Sequence, residues 1–300
     1  MLAELSSKAG CMCQPAIDGD IGCPLMVRST SEDVITSHLF GALKQIQPRW
    51  WLPHLLNTGL NLPSNTRVSF RSQVWRNLRV ELWERQAKYP SHLIPWKEGI
   101  TEVDAVIEWE NPPTTIFIEM KYGSPLSKST NQNDGEHGFP ADQLIRNIRV
   151  GLRRTGWLIE PQLFQRRTRD VIVLVVSPKE RDLELVNAYS CKDVVRQSVP
   201  KCSIRMPLPL HPFVGYSSYD AIANILQNHV RMMARSERLT SLQLIEYLRF
   251  KSHTLSRSRM QSTPSLPLMP NVGLGNEGNQ LTRENLEQCN YEKKEQSTGT

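Results

Sequence analysis

Apolar residues first recur with helical spacing at Ile35, Leu39, Leu43 and Ile46, marking one buried stripe. Thr30 with Asp33 makes a capping-box-like start in which Asp replaces the usual Glu. Pro48 predicts the end of this helix. Residues 67–86 alternate with the period of a strand, through Val68 and Phe70 and then Leu78, Val80 and Leu82. The stretch TEVDAVIEW at 101–109 alternates again, and ENPP at 110–113 is strong turn chemistry. TTIFIEMKY at 114–122 predicts the next strand, so these two strands form a hairpin. The polar residues 123–140 predict a loop, and a helix opens at Ala141 or Asp142 with Leu144, Ile148 and Leu152 on one face. Residues 170–177 are almost continuously apolar, as in a strand buried on both faces. After an irregular stretch, residues 219–233 and 240–251 predict two closing helices. The order implies an α/β fold with a mixed central sheet flanked by helices.

The ends of the chain read differently. Residues 1–28 carry few charges and no periodicity, which predicts a loosely ordered leader. Residues 252–300 are rich in Ser, Gln, Asn, Gly and Pro, which predicts a mostly disordered tail. The folded domain is expected over 29–251, and all seven Trp fall inside it, between Trp50 and Trp157. The longest aliphatic run, Val171 to Val176, is far shorter than the ~20 residues of a membrane span. The first residues hold no apolar signal core, and six irregularly spaced Cys make no disulfide scaffold. A soluble cytoplasmic protein without a membrane partner is the expectation.

Net charge is +6, and the tail contributes nothing to it, with five bases against five acids. Seven Arg crowd between Ile145 and Asp170, facing only Glu160 and Asp170 in that span. Such an excess suits phosphate, because the guanidinium fork stays charged and binds two oxygens at once. A solvated helix face is the plainer reading of the same residues.

The hairpin carries the chemistry. Glu119 and Lys121 stand two apart and so share a sheet face with Phe117, while Ile116, Ile118 and Met120 take the other. Charges inside an otherwise apolar strand need a partner or a metal. Asp104 lies fifteen residues before Glu119, a separation that a hairpin closed by ENPP folds across. Two carboxylates and an ammonium then converge. Hard oxygen donors suit Mg²⁺, with Mn²⁺ as its substitute, and Mg²⁺ takes one or two carboxylates beside waters and substrate phosphate. This set fits phosphodiester hydrolysis, the metal activating water and neutralising phosphate charge. Lys121 would orient or deprotonate that water, with partial burial or a nearby cation lowering its pKa. The alternatives are a half-solvated strand and an ordinary cross-hairpin ion pair. Glu102 and Glu108 rival Asp104, and Glu108 shares its face.

In this setting the chain resembles the PD-(D/E)xK nuclease superfamily, whose fold is restriction-endonuclease-like. The matching residues are Asp104 in TEVDAVIEW, Glu119 and Lys121 in IFIEMKYG, Glu32 in SEDVITSHLFGAL and Gln143 in ADQLIRNIR, across about residues 30–177. The resemblance implies catalytic roles for Asp104, Glu119, Lys121 and Gln143. It also implies a metal held by Glu32, Asp104, Glu119 and the Met120 carbonyl. Two features depart from the pattern: Val103 replaces the Pro before Asp104, and the stretch leading to Gln143 is longer than in compact members. Asp33 competes with Glu32, which also reads as a simple complement to the helix dipole. YSSYDAIANIL and SLQLIEYL resemble helices that follow the core in some bacterial members.

The expected function is a metal-dependent DNA endonuclease-like hydrolase. Arg146, Arg149, Arg153 and Arg154 are the candidates for tracking the DNA backbone. The rival is a catalytically silent nucleic-acid-binding or interaction module of the same fold. Homo-oligomers and larger defence or repair complexes stay open as partners. GLGNEG at 273–278 matches a dinucleotide fingerprint, but it follows no strand and opens no apolar helix. Cys11, Cys13 and Cys23 lack a fourth ligand for zinc, and Asp134, Glu136 and His137 read as a solvated loop. No HExxH, P-loop or G-x-S-x-G is present.

Overall fold

The Ser31 hydroxyl accepts from the Val34 amide at 3.4 Å and caps helix α1, Glu32–Leu43. The cap lies one residue beyond the Thr30 expected from sequence. The structure is a computed structural model, which describes residues 31–61, 70, 75–86, 100–126, 142–157, 168–178, 183–199 and 214–260. The leader, the Val68 end of the first strand, most of the polar loop and the tail beyond Met260 lie outside the described residues. So do Cys11, Cys13, Cys23, Asp134, Glu136, His137 and GLGNEG. Residues 1–255 form one compact unit, and of the second, 256–300, only residues 256–260 are described.

α1 stops at Leu43, ahead of Pro48, which instead opens the short 3₁₀ turn Pro48–Trp50. Helix α2, Leu52–Asn61, then follows. Pro53 and Gly59 disguised it in the sequence, yet Pro is tolerated in a first turn and Leu52, Leu55, Leu56 and Leu60 are all buried.

The sheet has five strands: β1 Arg79–Gln86, β2 Thr101–Glu110, β3 Pro113–Met120, β4 Asp170–Ser177 and β5 Val214–Ser218. They lie side by side in chain order, with β1, β2 and β3 antiparallel and β3, β4 and β5 parallel. Asn111 and Pro112 close the β2–β3 hairpin as expected. Of the expected strand region 67–86, the described residues form β1 from Arg79 onward, and β3 ends at Met120 rather than Tyr122.

Parallel neighbours need a crossover. Helix α3, Gln143–Arg154, supplies it between β3 and β4. Two short helices, α4 Leu183–Tyr189 and α5 Lys192–Gln197, supply it between β4 and β5. The chain closes with α6 Tyr219–His229, a 3₁₀ turn Val230–Met232 and α7 Arg235–Met260. α7 thus runs past the domain boundary expected near 252. α4, α5 and β5 were not expected, being too short to show a period.

Each sheet face has its own core. Ile116, Ile118, Met120, Ile172, Leu174 and Val176 join the apolar faces of α1, α2, α6 and α7. Phe117, Val171, Val173 and Val175 join those of α3, α4 and α5. The apolar run in β4 is therefore buried on both sides, as its composition required. Glu237 ties α7 to the α1–α2 connection, its carboxylate accepting from the Gln47 amide at 2.8 Å and the Ala234 amide at 3.0 Å.

α2 rests directly on β5 because two glycines meet there. A Cβ on Gly215 would stand 2.8 Å from the Gly59 carbonyl oxygen and 2.8 Å from Leu60 Cδ2. One on Gly59 would stand 2.8 Å from Leu174 Cδ1 and 3.0 Å from the Tyr216 carbonyl oxygen. Backbone cannot yield as a side-chain end can, so Gly215→Ala is expected to cost about 1–3 kcal/mol. That lowers Tm by about 2–4 °C per kcal/mol in a domain of this size. Thermal unfolding checks it, and an unchanged Tm would refute this helix–strand approach.

Candidate active site

Glu119 and Lys121 stand at the C-terminal end of β3, where the sheet's parallel half meets its antiparallel half. Glu119 is 1% exposed and Lys121 8%. The Lys121 ammonium lies 2.7 Å from Glu119 Oε1. Gln143 Nε2, at the start of α3, donates to the same oxygen at 2.5 Å, and Asn147 Nδ2, one turn on, donates to Oε2 at 2.8 Å. Gln143 and Asn147 share a helix face because they are four residues apart.

Glu32 arrives from the other side of the sheet, in the first turn of α1, where a carboxylate suits the helix dipole. Its Oε2 lies 3.6 Å from Lys121 Nζ. Its Oε1 accepts from the Tyr122 amide at 2.9 Å and from Ser124 Oγ at 2.8 Å. Asp104 reaches across from β2, its Oδ2 accepting from the Met120 amide at 2.8 Å. The N–H and C=O of a strand residue leave by the same edge, so the Met120 carbonyl is directed toward β2 as well. From behind, Tyr219 donates its hydroxyl to the Lys121 carbonyl at 2.9 Å.

Five of the expected residues therefore gather: Glu32, Asp104, Glu119, Lys121 and Gln143. Asp104, Glu32 and Gln143 keep part of their surface in solvent, so the cluster has an open side. The sequence reading missed Asn147, Tyr122, Ser124 and Tyr219. Spacing from Gln143 would have found Asn147, whereas Tyr219 comes from a distant helix.

Burial, then the Glu119 charge, pushes the Asp104 carboxyl up to about 8, against the pull of the Met120 amide and Lys121. Burial likewise raises Glu119, although Lys121 and Asn147 oppose it. Burial alone would lower Lys121, but Glu119, Glu32 and Asp104 outweigh it and raise its pKa. The lowered Lys121 pKa expected from sequence supposed burial or a nearby cation; the carboxylates beside this amine act in the opposite direction.

Among the described residues, no three or more His, Cys, Asp or Glu side chains are grouped so as to hold a metal ion. Mg²⁺ does not need three. Asp104 and Glu119, with the Met120 carbonyl beside them, are the donor types that it combines with waters and phosphate oxygens. Burial first, and the Glu119 charge second, make an ionised Asp104 costly here, a cost that a divalent cation beside it would offset.

The expected nucleic-acid contacts fare differently. Arg149 is fully buried, and its Nε donates to the Ser198 carbonyl at 2.9 Å, which locks α3 to α5. Arg154 clamps the sheet: it reaches Glu84 at 2.6 Å, Glu108 at 3.0 Å and Gln86 Oε1 at 2.8 Å. Arg149 is thus committed inside the fold, whereas Arg154 is bonded to these acids yet keeps part of its surface in solvent. Burial and prior ion pairing claim these guanidiniums. Arg146 and Arg153 are partly exposed on α3. Glu108, the rival acid, belongs to the Arg154 clamp, and Glu102 pairs with Arg85.

The chain matches no family model, no curated protein and no solved structure. No helix among the described residues is long and apolar enough to cross a membrane.

The Asp104 shift has a testable sign. Its folded pKa lies above its unfolded one, so the folded state binds the proton more tightly, and stability falls as pH rises from about 4 to about 8. Asp104→Asn removes this loss. The variant is expected to melt higher than wild type at pH 8, by about 2–4 °C for each kcal/mol recovered, with the gap closing toward pH 4. Thermal scans across this range check it; a variant that melts lower at pH 8 would refute the crowded-acid reading.

Proposed function

We propose that this chain is a metal-dependent nuclease-like hydrolase of the PD-(D/E)xK type, with a restriction-endonuclease-like core, acting on DNA phosphodiester bonds. The observation that carries the reading is the meeting of Glu32, Asp104, Glu119, Lys121 and Gln143, from four separate elements, at the open end of β3. Two carboxylates lie within ion-pair distance of the buried Lys121, and Asp104 reaches the same strand end from β2.

Asp104, Glu119 and the Met120 carbonyl would hold Mg²⁺ or Mn²⁺; Glu32, expected in the same set, is engaged instead by Lys121, the Tyr122 amide and Ser124. When bound, the ion lowers the pKa of water and offsets charge on the phosphate. Lys121 acts as an ammonium: it donates to a non-bridging phosphate oxygen or orients the incoming water, and it does not begin as a base. Gln143 and Asn147 fix the Glu119 carboxylate through one hydrogen bond to each oxygen, so it cannot rotate out of place. Glu32 keeps the turn after β3 closed through Tyr122 and Ser124.

Purified protein is incubated with plasmid and with single-stranded oligonucleotides in Mg²⁺ or Mn²⁺. Wild type is expected to cleave. Asp104→Asn and Lys121→Ala, each checked for folding by circular dichroism, are expected to lose at least about 100-fold in rate. A wild type that binds DNA with a steep salt dependence but never cuts would favour the silent nucleic-acid-binding module. Absent or salt-independent binding would refute both.

A further inference from the structure

Trp83 has a backbone conformation that its side chain should resist. Its φ is 52°, in the left-handed region, which bulky L residues rarely enter. It lies in the middle of β1 and not in a turn. The ladder to β2 pairs Leu82 with Ala105 and Glu84 with Val103, so Trp83 and Asp104 fall opposite each other and are both left out. On the other edge, the β2–β3 ladder ends at the Ala105–Ile118 pair, so Asp104 is outside that ladder too.

Side-chain alternation breaks at the same place in both strands. Before the break in β1, Val80 and Leu82 pack on the core beneath α1 and α2. After it, Glu84 and Gln86 meet Arg154 on α3, across the sheet. In β2, Ala105, Ile107 and Trp109 belong to the α1–α2 core, but Val103 belongs to the α3 core. Strict alternation would keep every second residue on one face. The left-handed residue resets it without changing the register, because the same pairing resumes beyond the gap.

Regular alternation from Leu82 would also turn the indole toward α3, onto the face of Phe117 and directly opposite Asp104, where cross-strand side chains come into contact. Instead the indole is buried against Val34 of α1, two residues from Glu32, with Leu82 alongside. The space beside Asp104 is left to its carboxylate, which swings to the Met120 amide.

We infer that Trp83 is a positioning residue for the candidate site. Its left-handed backbone, held by indole packing on Val34, releases Asp104 from both ladders and aims its carboxylate at the end of β3. The purpose of this device rests on the proposed function; the device itself is tested apart from it.

Two variants separate backbone from bulk. Trp83→Val forbids the left-handed conformation, and Trp83→Gly adopts it freely. Hydrogen exchange is followed by NMR at two adjacent amides in the full chain: Met120, bonded to Asp104, and Lys121, bonded to the Val176 carbonyl at 2.8 Å. Trp83→Val is expected to lose Met120 protection at least tenfold while Lys121 stays protected. Trp83→Gly is expected to keep both within about threefold. Mn²⁺ titration by calorimetry should follow the same order, with at least tenfold weaker binding in Trp83→Val only. Unchanged Met120 protection in Trp83→Val, or parallel loss at both amides, overturns the inference. Should Trp83→Val not fold, loss of Met120 protection in a folded Trp83→Gly overturns it. Selective Met120 exposure in a protein whose wild type binds no Mn²⁺ and cuts no DNA upholds the positioning role and defeats the proposed function.

Discussion

A carboxylate buried at 1% exposure inside an apolar strand sets the terms for everything around it. Glu119 gives up its hydration when β3 is covered on both faces, and an unmatched charge there would cost several kcal/mol. The fold matches it with one ammonium and two amides. The two amides dictate the pitch and height of α3, because Gln143 and Asn147 must both reach down to one side chain. Removing one partner of such a pair leaves the other charge stranded, typically at about 3–5 kcal/mol. The cluster is thus a structural keystone before it is a site, which is why it can be specified so sharply.

The rest of the core fixes α3 where Glu119 needs it. Asp142 caps the helix through the Ile145 amide at 2.9 Å and accepts from the Tyr189 hydroxyl of α4. Arg149 bonds to the carbonyl of Ser198 just past α5. At the far end, Thr155 folds its hydroxyl back on the Gly151 carbonyl at 2.8 Å. Gly151 lets the helix settle on β4: a Cβ there would lie 2.9 Å from Val171 Cγ2. On the opposite face, Tyr122 and Tyr219 stack at 6.4 Å, and the Lys251 ammonium lies 5.3 Å from the Tyr122 ring, so α6 and α7 brace the turn that carries Glu32's partners.

Much of this was legible in the residues because local and tertiary demands agreed. The ENPP turn, the strands of TEVDAVIEW and TTIFIEMKY and the apolar run of β4 appear where expected, β3 ending two residues early. Glu119 and Lys121 were visible as charges that an apolar strand could not hide. What stayed hidden had no period to show. α2 carries a Pro and a Gly that a sequence reading takes as breaks, yet the Pro is in its first turn and the Gly admits β5. α4, α5 and β5 span five to seven residues each, less than two helical turns or three strand repeats. The break at Trp83 was invisible because a backbone sign change leaves no mark on composition; TEVDAVIEW seemed to alternate throughout, and its faces exchange at Asp104.

The arginines show how the same residue type divides by depth. A cluster read along the chain suggests one positive surface, but a helix distributes successive residues around its circumference. Arg149 points into the α4–α5 core, where a fully desolvated guanidinium is tolerable only through hydrogen bonds such as that to Ser198. Arg154 points at the β1–β2 face, where Glu84 and Glu108 would otherwise repel each other across the sheet. Arg169, at the entry to β4, closes the hairpin by bonding the Trp109 carbonyl at 2.8 Å and Glu110 at 2.9 Å. These three guanidiniums are therefore spent on holding acids and carbonyls in place. At the end of β3 the balance differs in depth: Glu119 and Lys121 are both buried, and Glu32 is the second carboxylate within ion-pair reach of that one amine.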